Sequence, residues 1–333
     1  MKGLYNIGNT CYMNSAIQCL SHIPEFRNYF LTGCHLNYIN KKEIGYDLTI
    51  ELQILLYKLC QDDTEKIINP IDFIKAFILS CKQINFSGFE QNDVEDFIHL
   101  MLDIVHKSIS NKIVTNISGT VNTIVDKIAV DAAKSWNDFF NNSYSHIINI
   151  FYSQILCTTI CPRCNNNCIN YEPLMSISLS IPSKLLNQTT NTISLYDLFN
   201  HYTEEEILDT DNQWKCDSCN TKVNCRKQIT FWNLSKILII VIKKYNMNNK
   251  INVNIDYPLV LDLNKYSINY REINLEYNLI GSCIHTGNLI GGHYYAICKK
   301  YDEWYRYNDE NVSKIPASSV QNENAYCLIY RRK

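Results

Sequence analysis

The sequence predicts an α+β fold, with a helical first third followed by a strand-rich remainder. Up to about residue 106, apolar residues recur at helical spacing, a pattern typical of amphipathic helices. From Phe151 onward the period changes to two, as expected for half-buried strands. Hydrophobic residues make up 46% of the 333 residues and charged residues 19%. The chain is therefore globular in composition and long enough to bury a large core.

Charge and hydropathy argue against two classes of function. The formal net charge is −2 and the sequence pI is near 6.4, whereas nucleic-acid-binding domains usually carry a basic stripe. The longest purely aliphatic run, residues 237–242, is far too short to span a bilayer, and no signal peptide is visible. We therefore expect neither nucleic acid nor a membrane as a partner.

The 15 cysteines of the chain indicate its compartment. Disulfides persist in oxidising compartments, whereas intracellular cysteines are free thiols, metal ligands or nucleophiles. Because no secretion signal is visible, we expect an intracellular protein of the cytoplasm or nucleus. We also expect a monomer.

The stretch Gly3–Leu20 contains the first candidate for catalysis. From Tyr12 its apolar residues follow helical spacing, with Thr10 as a good N-cap and Pro24 as the end of the helix. Cys11 then lies in the first helical turn, where unpaired N–H groups and the dipole favour a thiolate, the nucleophilic form. The alternative interpretation is a small buried hydrophobic residue, as free cysteines commonly are.

Three further helices are predicted in the first third of the chain, each from a stripe of apolar residues on one face. The stripes run from Leu48 to Leu59, from Ile71 to Cys81 after the capping pair Asn69-Pro70, and from Val94 to Val105. Core packing alone explains all three stripes.

The last of these helices opens on an acidic motif, Glu90-Gln91-Asn92-Asp93-Val94-Glu95-Asp96-Phe97. Carboxylates in a first helical turn stabilise the helix by ~0.3–1 kcal/mol through the dipole. That effect is one sufficient interpretation of Asp93 and Asp96. A role in substrate binding is the other.

The middle of the chain is less informative. Residues 107–149 read as a variable connection with a helix near Trp136–Phe140. Beyond them, a helix with Ser194 as its cap is predicted over Leu195–Leu208. Strands are predicted around residues 175–181, 227–232, 237–243, 275–284, 293–299, 303–307 and 326–330.

Two C-x-x-C pairs predict a metal site. Cys161 and Cys164 form the first pair, and Cys216 and Cys219 form the second. Two such turns complete a tetrahedral four-cysteine site, which favours structural zinc and leaves no open position for catalysis. The long stretch between the pairs suits two hairpin tips that meet, whereas a redox C-x-x-C would need only one pair. Two nearby cysteines are alternative ligands: Cys168 and Cys225.

A cysteine nucleophile needs an imidazole within hydrogen-bond reach and a third group that orients the ring. Of the eight histidines, His293 follows the pair Gly291-Gly292 and begins a predicted strand. The glycines permit close approach, and the strand fixes the ring. His285 lies upstream of the glycines and is the fallback candidate.

Three of these segments resemble boxes of the ubiquitin-specific proteases, which are papain-like cysteine proteases. Gly3–Leu20 resembles the cysteine box and Cys283–Lys299 the histidine box. Glu90–Phe97 resembles the second box, with Asn92 in place of a glutamine and Asp96 in place of a glutamate. Together with a closing strand like Ala325–Tyr330, the resemblance runs in consistent order through residues 3–330.

The resemblance implies a single catalytic domain over residues 1–333 that is shaped like a hand. Its expected parts are a helical thumb over residues 1–106, a variable connection over 107–149, zinc-tipped β fingers over 150–235, and a β palm over 236–333. Zinc, held by the two C-x-x-C pairs, is the one cofactor implied.

The resemblance also implies the activity. The family hydrolyses the isopeptide or peptide bond after the C-terminal glycine of ubiquitin, so ubiquitin and ubiquitinated proteins are the implied partners. Cys11 is then the nucleophile and His293 the base. In the segment Trp304–Val312, Asn308 is the third triad member, whose side-chain oxygen would accept the Nδ1–H of the imidazole, and Asp309 shares or supplements that role. Asn6 is the oxyanion donor.

Substrate binding is expected from residues near these boxes, with Asp93 helping to hold the extended tail of ubiquitin. Two alternatives to this function stay open: a protease for another ubiquitin-like modifier, and a catalytically silent ubiquitin-binding scaffold. The residues expected to bind substrate are Gln91, Asp93, Asp96, Gly291, Gly292 and Tyr294.

Overall fold

A computed structural model describes residues 1–61, 65–82, 90–186, 192–245, 250–268, 274–288 and 291–333 of the chain. It confirms the α+β class: helices dominate up to Phe151, and strands dominate after it. The helices within these residues are α1 (Cys11–Ser21), α2 (Pro24–Leu31), α3 (Tyr46–Cys60), α4 (Ile71–Ser80), α5 (Val94–Ile109), α6 (Ile124–Phe140), α7 (His146–Phe151), α8 (Ser183–Leu186) and α9 (Leu195–Thr203).

The strands fall mainly in the second half of the chain. They are β1 (Gly3–Leu4), β2 (Ile67–Ile68), β3 (Ser153–Ile160), β4 (Asn167–Leu174), β5 (Ser176–Ser180), β6 (Thr192–Ser194), β7 (Glu206–Ile207), β8 (Trp214–Cys216), β9 (Thr221–Val223), β10 (Arg226–Asn233), β11 (Ile237–Lys243), β12 (Asn254–Asp256), β13 (Val260–Asp262), β14 (Glu276–Gly287), β15 (Gly292–Lys300), β16 (Glu303–Asn308), β17 (Asn311–Ile315) and β18 (Ala325–Arg332).

Two sheets carry the architecture. The larger has the order β17-β16-β15-β14-β18-β11-β5, with β13 paired to β14. The smaller has the order β4-β3-β10-β7. Strand β5 lies in the residue range expected for the fingers, yet it pairs in parallel with β11 and so belongs to the larger sheet. The two neighbouring hairpins β3–β4 and β8–β9 each end in a C-x-x-C pair.

Helix α1 lies at the centre of the main core, because all of its residues are buried. A helix that is covered on every side needs neighbours all round. These are the other helices of the first third and the larger sheet, and one hydrophobic cluster joins them. In that cluster Tyr12 contacts Phe97 edge-on, with ring centroids 5.7 Å apart. The first candidate nucleophile therefore stands on a rigid support.

The predicted helices of the first third are confirmed as α1, α3, α4 and α5. Pro24 does more than end α1, since it is the first residue of α2. Proline is favoured there because its missing N–H would have no partner in the first turn. The pair Asn69-Pro70 starts α4 as expected: Pro70 is the N-cap residue, and the Asn69 side chain accepts a hydrogen bond from the Ile71 N–H at 3.0 Å.

Two helices differ in length from the prediction. Helix α6 begins at Ile124, well before the helix expected at Trp136, and a capping box between Thr123 and Asp126 starts it. Few of its residues are buried, which explains the weak apolar pattern. Helix α9 ends at Thr203 rather than Leu208, because the chain then forms β7 against β10. Within the described part of the chain, no helix is both long and apolar enough to cross a lipid bilayer.

Candidate active site

Cys11 is the first residue of α1, as the sequence predicts. The preceding turn has positive φ angles at Gly8 (87°) and Asn9 (57°), which these residue types adopt readily. Thr10 occupies the N-cap position, but its side chain does not cap the helix. Its Oγ1 instead accepts a hydrogen bond from the Ile7 N–H at 3.0 Å. The predicted N-cap position is therefore confirmed, but the expected side-chain capping bond is absent, because the turn before the helix uses that hydroxyl.

His293 lies near the start of β15 and contacts two of its expected partners. It forms a side-chain hydrogen bond with Cys11, and its Nε2 lies 2.5 Å from Oδ1 of Asn308. The hydrogen bond with Cys11 raises the pKa of His293 to about 9, against the opposing effect of burial, and Asn308 and the charge of Asp309 also raise it.

The expectation that Asn308 would engage Nδ1 of the imidazole is wrong. Asn308 ends β16, the neighbour of β15 in the larger sheet, and from there its carboxamide reaches Nε2 of His293. Because Asn308 uses Nε2, Nδ1 is the ring nitrogen left for the Cys11 sulfur. The three side chains thus meet in the order sulfur, imidazole, carboxamide.

Asp309 lies behind this contact rather than in it. Its Oδ2 is 3.9 Å from Nε2 of His293. Two carboxamides hold the carboxylate: Nδ2 of Asn6 donates to Oδ2 at 2.9 Å, and Nδ2 of Asn14 donates to Oδ1 at 2.8 Å. The side chain of Asp309 is only 8% exposed, so its charge is poorly screened from the imidazole.

Asn6 connects the N-terminal segment to the residues after β16. Besides its bond to Asp309, its Oδ1 accepts a hydrogen bond from the Thr10 N–H at 3.1 Å, and its own N–H donates to Oε1 of Glu310 at 3.0 Å. A carboxamide nitrogen carries two hydrogens. The bond to Asp309 uses one of them, and the second is the hydrogen that an oxyanion role would need.

Sequence reasoning missed Asn14 entirely. It lies three residues after Cys11 and is buried in α1, where it also donates to the Tyr5 carbonyl at 3.2 Å. The sequence gives no signal that singles out Asn14, because α1 also contains the polar residues Ser15, Gln18 and Ser21, although a buried carboxamide needs hydrogen-bond partners.

A cavity of about 380 Å³ has Cys11 in its wall. Five of the six residues expected to bind substrate also line it: Gln91, Asp93, Gly291, Gly292 and Tyr294. The sixth, Asp96, is exposed on the first turn of α5 and does not line the cavity. The segment just before α5 and the pair Gly291-Gly292 therefore face each other across this space.

Asp93 stabilises the start of α5 and also lines the cavity. It is the N-cap of α5 and accepts a hydrogen bond from the Glu95 N–H at 2.7 Å. Its other oxygen accepts a hydrogen bond from the Tyr326 hydroxyl. Burial raises the pKa of the Asp93 carboxyl, although these hydrogen bonds oppose the shift. Tyr326, which the sequence assigned only to the closing strand, is thus a further residue of the cavity wall.

His285, the fallback base, has other partners. Its Nδ1 is hydrogen-bonded to the Tyr245 hydroxyl, and its ring packs at 4.4 Å, centroid to centroid, from that of Tyr294. Burial, followed by the positive charges of Lys250 and His293, lowers the pKa of His285 to about 4. His285 therefore stays neutral near pH 7, and it is His293 that contacts Cys11.

The two C-x-x-C pairs meet at the tips of hairpins β3–β4 and β8–β9. The four sulfurs lie within 4.8 Å of one another. The Sγ–Sγ distances across the pairs are 3.8 Å between Cys161 and Cys219 and 3.6 Å between Cys164 and Cys216. Tetrahedral zinc with Zn–S bonds of about 2.3 Å requires sulfurs roughly 3.8 Å apart. The donor set therefore fits a zinc ion.

The alternative ligands Cys168 and Cys225 do not belong to this cluster. Within the two turns, an asparagine follows the second cysteine of each pair and has a positive φ: Asn165 (55°) and Asn220 (53°). Asparagine is among the few residues that tolerate this conformation. These tight turns bring both sulfurs of each pair to one side.

The site contains the components of nucleophilic cysteine catalysis. These are a thiol at a helix N-terminus, an imidazole beside it, and a carboxamide that contacts the imidazole. The imidazole can take the thiol proton and return it to a leaving group, while the carboxamide holds the ring in place. The adjacent cavity can hold an extended segment of substrate.

Comparison with known proteins finds one and the same family along nearly the whole chain. The family profile described as "Ubiquitin carboxyl-terminal hydrolase" matches residues 2–330. "Ubiquitin carboxyl-terminal hydrolase 4" of Saccharomyces cerevisiae (strain RM11-1a) is 31% identical over 366 residues, which cover 99% of this chain and 39% of the yeast protein. "Ubiquitin carboxyl-terminal hydrolase 2" of Bos taurus is 28% identical over 340 residues, covering 99% of this chain and 55% of the bovine protein. The chain thus spans about half or less of these relatives.

Solved structures share the fold. The SAGA DUB module of Ubp8, Sgf11, Sus1 and Sgf73 bound to monoubiquitin superposes with a TM-score of 0.75 at 24% identity, covering 100% of this chain and 69% of the matched one. The same module bound to ubiquitin aldehyde gives a TM-score of 0.74 at 24% identity, covering 100% and 70%. The predicted papain-like hand, with thumb, palm and fingers, is therefore confirmed as the fold.

Proposed function

The chain belongs to the ubiquitin carboxyl-terminal hydrolase family, and from that premise we propose that it is a cysteine-type deubiquitinase. It hydrolyses the isopeptide or peptide bond after the C-terminal glycine of ubiquitin. The observation that carries this proposal is the contact order at the site: Cys11 meets His293, and His293 meets Asn308. These three residues come from distant parts of the chain.

In the proposed mechanism, the Cys11 sulfur attacks the carbonyl carbon of the terminal glycine while His293 holds the thiol proton. Collapse of the tetrahedral intermediate breaks the C–N bond, and His293 donates that proton to the leaving amine. Water then attacks the thioester, with His293 accepting a proton from the water and returning it to the Cys11 sulfur. Asn308 keeps the imidazole oriented throughout.

Asn6 and backbone N–H groups at the start of α1 stabilise the oxyanion in this proposal. The support is the position of Asn6 in the segment just before Cys11 and the second hydrogen on its Nδ2. Asp309 supplements Asn308 through charge, because its carboxylate at 3.9 Å favours the protonated imidazole.

The tail of ubiquitin binds, in this proposal, in the cavity between the segment just before α5 and the pair Gly291-Gly292. Gln91, Asp93, Gly291, Gly292 and Tyr294 contact it. Asp96 is assigned to the same substrate from its exposed position beside the cavity. Main-chain hydrogen bonds are the usual means by which a groove holds an extended peptide.

We assign a structural zinc ion to the four cysteines at the hairpin tips: Cys161, Cys164, Cys216 and Cys219. Their closed thiolate set would link two hairpins that share few other contacts, and it would have no part in the chemistry. Residues 1–333 form a single catalytic domain in this proposal, with thumb 1–106, connection 107–149, fingers 150–235 and palm 236–333.

An intracellular location, in the cytoplasm or nucleus, suits a chain whose 15 cysteines are all unpaired thiols. Ubiquitin and ubiquitinated proteins are the proposed partners, and a monomer the proposed state. The support for ubiquitin is family membership together with the cavity beside Cys11.

A ubiquitin probe with a C-terminal electrophile tests the function directly. We expect the wild type to be labelled covalently and Cys11→Ala to remain unlabelled. Tight ubiquitin binding without labelling would instead establish a silent scaffold. Labelling by a probe built on another ubiquitin-like modifier, but not by the ubiquitin probe, would establish a protease for that modifier.

A further inference from the structure

Lys243 is a residue of the cavity wall to which no role has yet been given. It is the last residue of β11, a strand whose other residues are buried. Its side chain is 43% exposed. Lys243 is the only lysine or arginine among the described residues that line this cavity. His285, the other basic residue of the wall, is neutral near pH 7.

Glu95 holds the Lys243 ammonium in place. Its Oε2 lies 2.5 Å from Nζ, and its side chain is 9% exposed. The second oxygen of Glu95 accepts hydrogen bonds from the hydroxyls of Ser176 at 2.9 Å and Ser178 at 2.7 Å. A buried carboxylate with this many donors is rigidly placed, and it fixes the position of Nζ.

The ammonium retains capacity for a further partner. Lysine Nζ carries three hydrogens, and Glu95 is its one hydrogen-bond partner among the residues that the structure describes. Because Lys243 lines the cavity, the other two N–H donors of its ammonium are available to a molecule bound there. A charged donor forms a shorter and stronger hydrogen bond than a neutral one.

The chemistry of the cavity selects the acceptor. An extended peptide in a groove presents main-chain carbonyl oxygens, and these require donors. We propose that Lys243 is a substrate-binding residue, whose ammonium, anchored by Glu95, donates a hydrogen bond to a main-chain carbonyl oxygen of the C-terminal tail of ubiquitin. This inference rests on the proposed function and assigns a tail-binding donor within it.

To test this proposal, both partners of the Lys243–Glu95 ion pair are replaced together by neutral residues, because an unpaired buried carboxylate is strongly destabilising. Glu95→Gln combined with Lys243→Met removes the ammonium and retains an amide oxygen for Ser176 and Ser178. With ubiquitin carrying a C-terminal fluorophore, we expect KM to rise about 10- to 100-fold with kcat nearly unchanged, since binding alone is lost. Lys243→Arg should keep KM within about threefold of the wild type, because it retains charged donors.

Two controls separate this role from a structural one. The exposed pair of Lys314 and Glu303 lies outside the cavity lining, and Glu303→Gln combined with Lys314→Met should leave KM unchanged. In a Cys11→Ala background, the cavity double variant should weaken binding of intact ubiquitin about 10- to 100-fold. It should not weaken binding of ubiquitin that lacks its C-terminal tail.

An unchanged KM, or equal losses for intact and tail-less ubiquitin, would overturn the inference. Should the methionine double variant fail to fold, Glu95→Gln with Lys243→Leu replaces it, since leucine also has no hydrogen-bond donor, and the same outcomes apply. A wild type that does not cleave the fluorogenic ubiquitin would refute the proposed function and this inference with it. Cleavage with an unaltered KM in the variants would refute the inference alone.

Discussion

Nε2 of His293 lies 2.5 Å from Oδ1 of Asn308, whereas the carboxylate of Asp309 stands 3.9 Å from the same nitrogen. In the proposed mechanism, a neutral carboxamide therefore orients the base. We expect Asn308→Ala to lower kcat/KM on the order of 10²–10³-fold, since a freely rotating ring seldom faces the sulfur. Asn308→Asp should retain most activity, because a carboxylate also accepts the Nε2–H. The exposed Asn311 provides the matched control, and a similar loss in Asn311→Ala would contradict this interpretation.

The pH profile should report the raised pKa of His293. With a pKa of about 9, the imidazole keeps its proton at neutral pH and can donate it to the leaving amine. As the pH rises through about 9, that proton is lost, and kcat/KM should fall. Asp309→Asn removes a negative charge that favours the protonated ring, so the alkaline limb should move to lower pH. Asp302→Asn, at a highly exposed carboxylate, should leave the limb in place. An alkaline limb that Asp309→Asn does not move would contradict the charge role of Asp309.

Asn6 and Asn14 both donate to the Asp309 carboxylate, but only Asn6 is proposed to reach the oxyanion. Comparing the two alanine variants therefore separates these roles. We expect Asn14→Ala to lower kcat about tenfold through Asp309, and Asn6→Ala to lower it on the order of 10²–10³-fold, the usual cost of one oxyanion donor. Equal losses in single-turnover measurements would show that Asn6 acts through Asp309 alone.

The four-cysteine cluster predicts about one zinc ion per chain. Cys164→Ser should reduce bound zinc, measured by elemental analysis, to well below that ratio, and it should lower Tm by several degrees, because the two hairpins lose their link. Cys168→Ser is the matched control, since Cys168 lies beside the cluster but outside it. Full zinc content in Cys164→Ser, or loss of zinc in Cys168→Ser, would require a different ligand set.

The helices of the first third and the long strands could be predicted from the sequence because their signals are local. Apolar spacing and capping residues lie within each element, and both the apolar stripe of α5 and the apolar run of β11 are buried in the folded chain. Helix α6 was predicted too short, since it packs against β4 with few buried residues. Its capping box at Thr123 was a usable signal.

The same distinction between local and long-range signals holds for the candidate site. Local motifs identify the residues at its centre, whereas the contacts between their atoms depend on packing between distant segments. Nothing in the local sequence indicates that Asn308 meets Nε2 rather than Nδ1. The contact of Asn14 with Asp309 and that of Glu95 with Lys243 also join residues far apart in the chain. Such contacts become visible only when the strands and helices are assembled.

The glycines before His293 allow a matched pair of substitutions. A Cβ at Gly292 would lie 2.2 Å from Nε2 of His285 and 2.7 Å from the Thr286 carbonyl oxygen, distances that force a displacement. A Cβ at Gly291 would meet only the Gln91 side chain, at 3.5 Å, an ordinary contact. We therefore expect Gly292→Ala to lower kcat/KM about 100-fold or more by shifting the start of β15 away from Cys11. Gly291→Ala should leave Tm nearly unchanged and keep kcat within about threefold of the wild type.

The cause can be traced with a small thiol reagent. If the shifted strand carries His293 away from Cys11, the alkylation rate of Cys11 near pH 7 should fall in Gly292→Ala, because the imidazole is no longer placed to take the thiol proton. It should stay near the wild-type rate in Gly291→Ala. Full activity in Gly292→Ala would mean that the His285 side chain moves aside and that β15 stays in place. Loss of activity with an unchanged alkylation rate would place the damage in the substrate cavity rather than at the base.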